Sequence, residues 1–314
     1  MKFENTRVFG FESAMRGMRN PKNSWAKGDT REYLWANALG NPSFDPKEHP
    51  LCEYIGYDAK CVSIGPNDLK LAKALITGGP EHRKFLRQIF VSVDITAPLY
   101  WWKEFDTYKV GTVANSTSTM HKLTSQAITK DCFEVDDYHN FDVYFNDPYV
   151  IPENMDDLSG DLIEFCETLR KIYLETKDKK VWKELVRWLP EGWLQTRTVT
   201  MNYENLRAMC SKGQRRFHKL NEWSGIDDET LTNFISWART LPYADLFIFY
   251  DPREIEQQKD DMLKEILSIF GFTDKDFYNE DGSLVTSAEL GTSLISKFAL
   301  WYESNKADSV ESSD

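Results

Sequence analysis

Apolar and polar positions alternate most cleanly in two stretches, Ile89 to Thr96 and Leu194 to Met201. Both are rich in β-branched residues, and the period of two predicts strands with one buried and one solvated face. Elsewhere the spacing is helical. Leu69, Leu71, Ala72 and Leu75 form one face of a helix that Asp68 can cap and that Gly78-Gly79-Pro80 ends, and a shorter helix is predicted through His82, Phe85 and Leu86. Pro98 suits the first turn of a helix running to Tyr108, with Leu99, Trp102, Phe105 and Tyr108 along it. A long amphipathic helix is predicted over Asp156 to Lys177, followed by helical pieces over Val181 to Leu189, Asn202 to Lys212, Asp228 to Thr240 and Glu254 to Phe270.

Two stretches lack a clear period. Residues 1–66, with Pro21, Pro42, Pro46 and Pro50, read as a loop-rich region with short helices packed on the main domain. Gly111 to Ser118 is small and hydroxyl-rich; such a stretch is either a turn held by its own side chains or a cradle of N–H and O–H donors for a phosphate. Strands interleaved with helices of this kind predict an α+β fold, with a central antiparallel-rich sheet flanked by long helices and a helical C-terminal extension.

Composition narrows the function. The chain of 314 residues carries a net charge of −12, and its basic runs are short, Lys177-Asp178-Lys179-Lys180 and Arg215-Arg216, so general nucleic-acid binding is not expected. No stretch approaches membrane-spanning length, and Met1 to Phe11 is charged where a signal peptide is apolar, so a soluble cytoplasmic protein is expected. The five cysteines show no Cys-x-x-Cys pair and read as reduced thiols. His139 with Asp136, Asp137 and Asp142 matches no compact metal site, and no metal is expected. Trp101 and Trp102, like Trp182, Trp188 and Trp193, read as core or subunit contacts.

Three separated stretches resemble the flavin-dependent thymidylate synthase family. The first runs from Val93 through Ala97-Pro98 and Trp101-Trp102 to Ser118, where relatives carry a strand, an Ala-Pro helix start, and then Arg-His-Arg followed by a serine. Thr107, Tyr108 and Lys109 stand at the Arg-His-Arg positions here, with eight residues before Ser118. The second is His82, where relatives place a histidine near nucleotide and flavin. The third is Leu189-Pro190, a strand, Asn205-Leu206-Arg207, and Arg216 seven positions before Trp223. Counting from Pro190 points instead to Asn202; the Asn205 register is taken because it alone supplies Arg207. The resemblance covers residues 67–224, leaving 225–314 as the helical extension.

The resemblance implies FAD as cofactor and dUMP or a related pyrimidine nucleotide as substrate. NADPH and methylenetetrahydrofolate are implied as co-substrates, and a homotetramer as the assembly. It assigns cofactor binding to His82, Tyr108, Lys109, Asn115, Asn205 and Arg207, and substrate binding to Glu104, Ser116, Ser118 and Arg216. Ser118 and Arg216 are also the catalytic candidates. Relatives concentrate positive charge where this chain has Thr107, Tyr108 and Met120, and each charge-assisted bond is worth about 1.5 to 3 kcal/mol. His121, Lys122, Lys109 and Arg216 are the cations available to compensate. Two readings follow: an FAD-dependent methyltransferase of the thymidylate synthase type, or a non-catalytic nucleotide-binding or assembly protein of the same fold that has lost flavin chemistry.

Overall fold

The alternating stretch near residue 90 becomes the second strand of a four-stranded antiparallel sheet. In the computed structural model, residues 1–34, 52–53, 60–108, 110–118, 123–135, 154–226 and 230–255 are described, together with 262, 265, 268 and 297. The main sheet joins β1 (Lys2–Phe9), β5 (Phe90–Pro98), β7 (Leu194–Asn202) and β6 (Val113–Ser116) in that spatial order. β5 and β7 pair along their full length, from Phe90 opposite Asn202 to Pro98 opposite Leu194.

The pleat sorts the side chains as the period predicted. Val91, Val93, Ile95, Ala97, Val199 and Met201 are buried on one face. The other face carries a polar lattice: Asp94 accepts from Asn5 at 2.7 Å and from Thr198 at 2.6 Å, and the Thr96 and Thr196 hydroxyls lie 2.7 Å apart. Against the apolar face pack α1 (Phe11–Met18), α2 (Pro66–Thr77), α3 (Leu99–Phe105) and α6 (Tyr203–Met209). The same core receives α7 (Asn221–Ser224), α8 (Phe234–Arg239) and α9 (Ala244–Phe247). A second core lies beneath the hairpin of α4 (Met155–Thr176) and α5 (Lys179–Trp188), where Cys166 and Leu185 meet Leu123, Ile128, Phe133 and Trp193.

The N-terminal region departs from the loop-rich expectation. β1 is mostly exposed and lacks apolar alternation, so only its pairing with β5 holds it extended, across a bulge between Glu4 and Arg7. β2 (Arg31–Leu34), β4 (Lys60–Ser63) and β3 (Cys52–Glu53) add a three-stranded antiparallel sheet. Asp68 is not a helix cap. Gly65 holds that position with Pro66 in the first turn, and the amides of Asn67 and Asp68 are capped by the carboxylate of Asp29. Asp68 is buried instead, accepting from Arg19 Nε at 2.5 Å, from the amides of Asp29 and Thr30, and from the Thr30 hydroxyl at 2.6 Å.

Other boundaries shift for local reasons. The helix after Pro98 stops at Phe105, because Thr107 folds its hydroxyl back onto the Glu104 carbonyl at 2.7 Å and Gly111 takes a left-handed φ of +81°. Part of the hydroxyl-rich stretch is strand β6, edge-paired to β7. The helix over 202–212 ends at Met209, and the one over 228–240 spans Phe234–Arg239. Of the predicted 254–270 helix, residues 254, 255, 262, 265 and 268 are described, and all are helical.

The chain divides into two compact units, Met1–Tyr250 and Asp251–Asp314, and residues 230–250 pack within the first. No helix among the described residues is long and apolar enough to cross a membrane.

Candidate functional site

The C-terminal end of α3 is where distant segments converge. One face of that helix is anchored by Trp101, Trp102 and Phe105, all at most 2% exposed. Trp101 stacks on Trp223 with ring centroids 4.6 Å apart. This apolar footing directs Glu104 and, one turn on, Tyr108 toward the irregular stretch 211–220. Tyr108 Oη donates to Gln214 Oε1 at 3.2 Å, and Arg215 Nη2 donates to Glu104 Oε2 at 2.6 Å. The Arg215 guanidinium lies 5.5 Å from the Tyr108 ring centre and 5.3 Å from that of Trp223. Its Nε is buried with no hydrogen-bond partner.

Burial pushes the Tyr108 hydroxyl up from its ordinary pKa, with Arg215 opposing the shift. His218 is pushed down by burial and by neighbouring Arg215. Its Nδ1 accepts from the Leu220 amide at 3.1 Å, which places the proton of the neutral ring on Nε2. The cluster therefore offers a phenol, a guanidinium and a neutral imidazole against an aromatic wall.

Asn205 anchors the chain at Val110 and Gly111. It forms a reciprocal cap with Asn202 at the start of α6 and donates from Nδ2 to the Val110 carbonyl at 2.6 Å. Gly111 is needed there: besides its left-handed φ, a Cβ would come within 2.9 Å of Asn205 Oδ1. Both asparagines left open by motif counting thus belong to one cap.

The other candidates lie elsewhere. Arg207 Nη1 donates to the carbonyls of Phe247 and Ile248 at 3.2 Å, tying α6 to α9. Arg216 lies over Phe217 and Phe249, at 5.6 and 5.9 Å. Asn115 and Ser116 sit on β6 opposite Thr198 and Arg197, and Ser118 follows the strand. His82 is an exposed residue packed beside Gly78; neighbouring Arg83 binds Glu204 of α6 through a paired contact at 2.9–3.0 Å. Lys109, Met120, His121 and Lys122 lie outside the described residues, as do Asp136, Asp137, His139 and Asp142.

The structure also brings Arg215, Gln214, His218 and Arg197 to this end of α3, none of which the sequence reading selected. Counting seven back from Trp223 selects Arg216, but the chain at 211–218 is a run of turns, so a one-residue step exchanges which arginine faces α3. Arg197 belongs to β7, stacks 4.2 Å from Trp102 and binds Asp106 at 2.8 Å, bringing a second cation to the end of the same helix.

Two cavities elsewhere fit an anionic ligand less well. One of about 600 Å³ is lined by Asp131 and Glu134 together with Lys2 and Met1, whose terminal ammonium lies 3.8 Å from Glu134, so its charges offset and no cation there is set toward a phosphate alone. One of about 200 Å³ contains Arg16 and Arg19, but Arg19 is committed to Asp68, and drug-sized ligands need roughly 300 Å³ or more.

Fold and site together define an α+β protein with a guanidinium–aromatic cluster suited to a planar anionic ligand. Solved structures that match most of the chain include two of the thymidylate synthase ThyX from Helicobacter pylori with FAD and dUMP. The first has TM-score 0.47 and 13% identity, covering 79% of this chain and 98% of that one; the second has TM-score 0.47 and 12% identity, covering 80% and 98%. A UMP/dUMP methylase, PolB from Streptomyces cacaoi bound with 5-Br dUMP, matches with TM-score 0.38 and 14% identity over 71% of this chain and 96% of that one. No family profile and no curated protein matches the chain.

Proposed function

We propose that the chain is a divergent flavin-dependent thymidylate synthase-like protein. In this reading it binds dUMP or a related pyrimidine nucleotide beside FAD and methylates it, with methylenetetrahydrofolate as carbon donor and NADPH as reductant. The observation carrying this reading is convergence: the Ala-Pro helix, the Asn-x-Arg helix and the stretch before Trp223 meet through Tyr108–Gln214, Glu104–Arg215 and Asn205–Val110. The groups present fit such ligands, because a half-buried phenol and a guanidinium with an unfilled donor face an aromatic wall. Tyr108 would meet the ring system of flavin or base, Arg215 the phosphate, and Asn205 would hold the 108–111 turn in place. FAD, when bound, supplies hydride transfer that no side chain here provides.

Purified protein tests the reading. It should be yellow, FAD and dUMP should each raise its melting temperature, and NADPH oxidation should depend on dUMP and folate. A colourless protein indifferent to both ligands would overturn it. Light scattering tests the homotetramer, and fractionation tests the cytoplasmic location.

A second reading, a flavin-free nucleotide-binding or assembly protein, is favoured by one specific observation. Asn205 and Arg207, the flavin-contact positions of the resemblance, are both engaged with backbone groups. Binding of dUMP without any binding of FAD would select it.

A further inference from the structure

We propose that Arg215 is the anion-receiving arginine of the site and that the Glu104 carboxylate occupies it in the ligand-free chain. A phosphate monoester then enters by displacing an internal carboxylate. The inference rests on the nucleotide reading for the ligand's identity, and on the ion-pair geometry for everything else.

The arginine is fixed and its partner is free to leave. Arg215 is 16% exposed and lies against both the Tyr108 and Trp223 rings. Glu104 is 43% exposed and reaches the guanidinium from a short helix whose other face holds it to the core. The pair uses Nη2 on one side and Oε2 on the other, leaving Arg215 Nε buried without a partner. A guanidinium normally satisfies a planar oxyanion through two parallel N–H bonds, so the Glu104 contact engages the cation incompletely. A phosphate monoester brings up to two negative charges and three acceptor oxygens, and can outcompete one half-exposed carboxylate. A neutral nucleoside has nothing to displace Glu104 with. The carboxylate thereby selects for the phosphate: it lowers affinity for every anion, and only ligands that bind the cation strongly overcome it.

The neighbouring pair provides an internal control. Asp106 carries the same charge two residues on, but its partner is Arg197, whose Nε is bonded to Gln195 Oε1 at 2.9 Å. Removing the Asp106 charge alters the local field without vacating Arg215.

The test is calorimetric titration of the full chain with inorganic pyrophosphate and, separately, with dUMP. Glu104→Gln is expected to bind pyrophosphate about tenfold more tightly than the parent, the size of one competing charge-assisted bond. Asp106→Asn should stay within about twofold, as expected of a screened neighbouring charge. Arg215→Lys should weaken binding, because a point charge cannot replace the fork, and it keeps the falsification open if Arg215→Ala fails to fold.

Equal tightening in Glu104→Gln and Asp106→Asn would reduce the effect to general electrostatics and sink the proposal. A loss in Arg216→Ala without one in Arg215→Lys would move the role to the neighbour and overturn it likewise. Should dUMP bind no variant while pyrophosphate follows the expected order, the displacement stands and the nucleotide reading falls. Should dUMP bind well yet ignore Glu104→Gln and Arg215→Lys, the nucleotide reading stands and the displacement falls.

Discussion

Replacing Asp68 with asparagine keeps the shape of the side chain and removes only its charge, at a position 1% exposed. Four donors converge on this carboxylate: Arg19 Nε, the amides of Asp29 and Thr30, and the Thr30 hydroxyl. The amide cannot accept all four, and Arg19, whose side chain is 6% exposed, is left with an uncompensated charge. Breaking a buried pair from one side costs about 3 to 5 kcal/mol. At about 2 to 4 °C per kcal/mol for a unit of this size, Asp68→Asn should lower the melting temperature by about 6 to 20 °C. The pH dependence gives a second readout. Burial alone raises the Asp68 pKa, but the donors from Thr30, Arg19 and Asp29 outweigh it and the net shift is downward from 3.8. A depressed carboxylate contributes stability above its unfolded value and loses it as pH falls through the folded one. The acid limb of the parent's stability curve should therefore flatten in the variant. Calorimetric melts from pH 7 to pH 3 measure both effects; a loss below about 2 °C at pH 7, or an unchanged acid limb, refutes the argument.

Other expectations follow from single contacts. Trp223→Phe should cost clearly less than Trp223→Ala, because it keeps a ring in the stack and the lost indole Nε1 is buried without a partner, whereas Trp223→Ala should cost about 3 to 5 kcal/mol through the cavity it leaves; urea denaturation separates them. Gly111→Ala should destabilise by about 1 to 3 kcal/mol, combining positive-φ strain with the approach to Asn205, and thermal melts with and without dUMP will show whether the site is lost with it. Hydrogen bonds from Arg170 hold Glu167 down to about 2, against the opposing effect of burial. Its contribution is thus present above about pH 4.5 and fades toward pH 2, so Glu167→Gln should narrow the stability gap between pH 5 and pH 2 in equilibrium unfolding. Arg207→Ala should lower the melting temperature even without FAD, since two carbonyls at α9 lose their donor; an unchanged value would show that the contact contributes nothing.

What could be read from the sequence was whatever a local period or cap encodes. β5 and β7 carry their faces in the alternation of their own residues, so strand and face were legible, whereas their pairing with each other was not. β1 was not legible, because Lys2–Phe9 has no apolar alternation and owes its extended form to an edge 81 or more residues away. Asp68 shows the same limit in another form: it sits where a cap is expected, yet a carboxylate from residue 29 fills that role and releases Asp68 to the interior. Of the residues that motif spacing selects, Tyr108, Glu104 and Asn205 lie on or next to regular elements, and their contacts tie together residues 104–111, 205 and 214–215. The same motif chose Arg216 over Arg215 because spacing across a run of turns carries no directional information.

The order of strands in the main sheet has a kinetic consequence. β1 is complete by residue 9, its partner arrives only with Phe90, and β5 gains its second neighbour only when Leu194–Asn202 has formed. Thr6 waits longer still for the Trp237 indole that donates to it at 3.1 Å. Closing such distances adds little to the final free energy, since loop entropy grows only with the logarithm of length, but it slows the search. During synthesis the edge of β5 that faces β7 stays open until the chain has passed residue 202, although its other edge can take β1 once Pro98 has been made; the α4–α5 hairpin, built from neighbours in sequence, can form as it emerges. Among the pairings of the main sheet, β5 with β7 spans the greatest separation in sequence, so that is the junction where the search is longest.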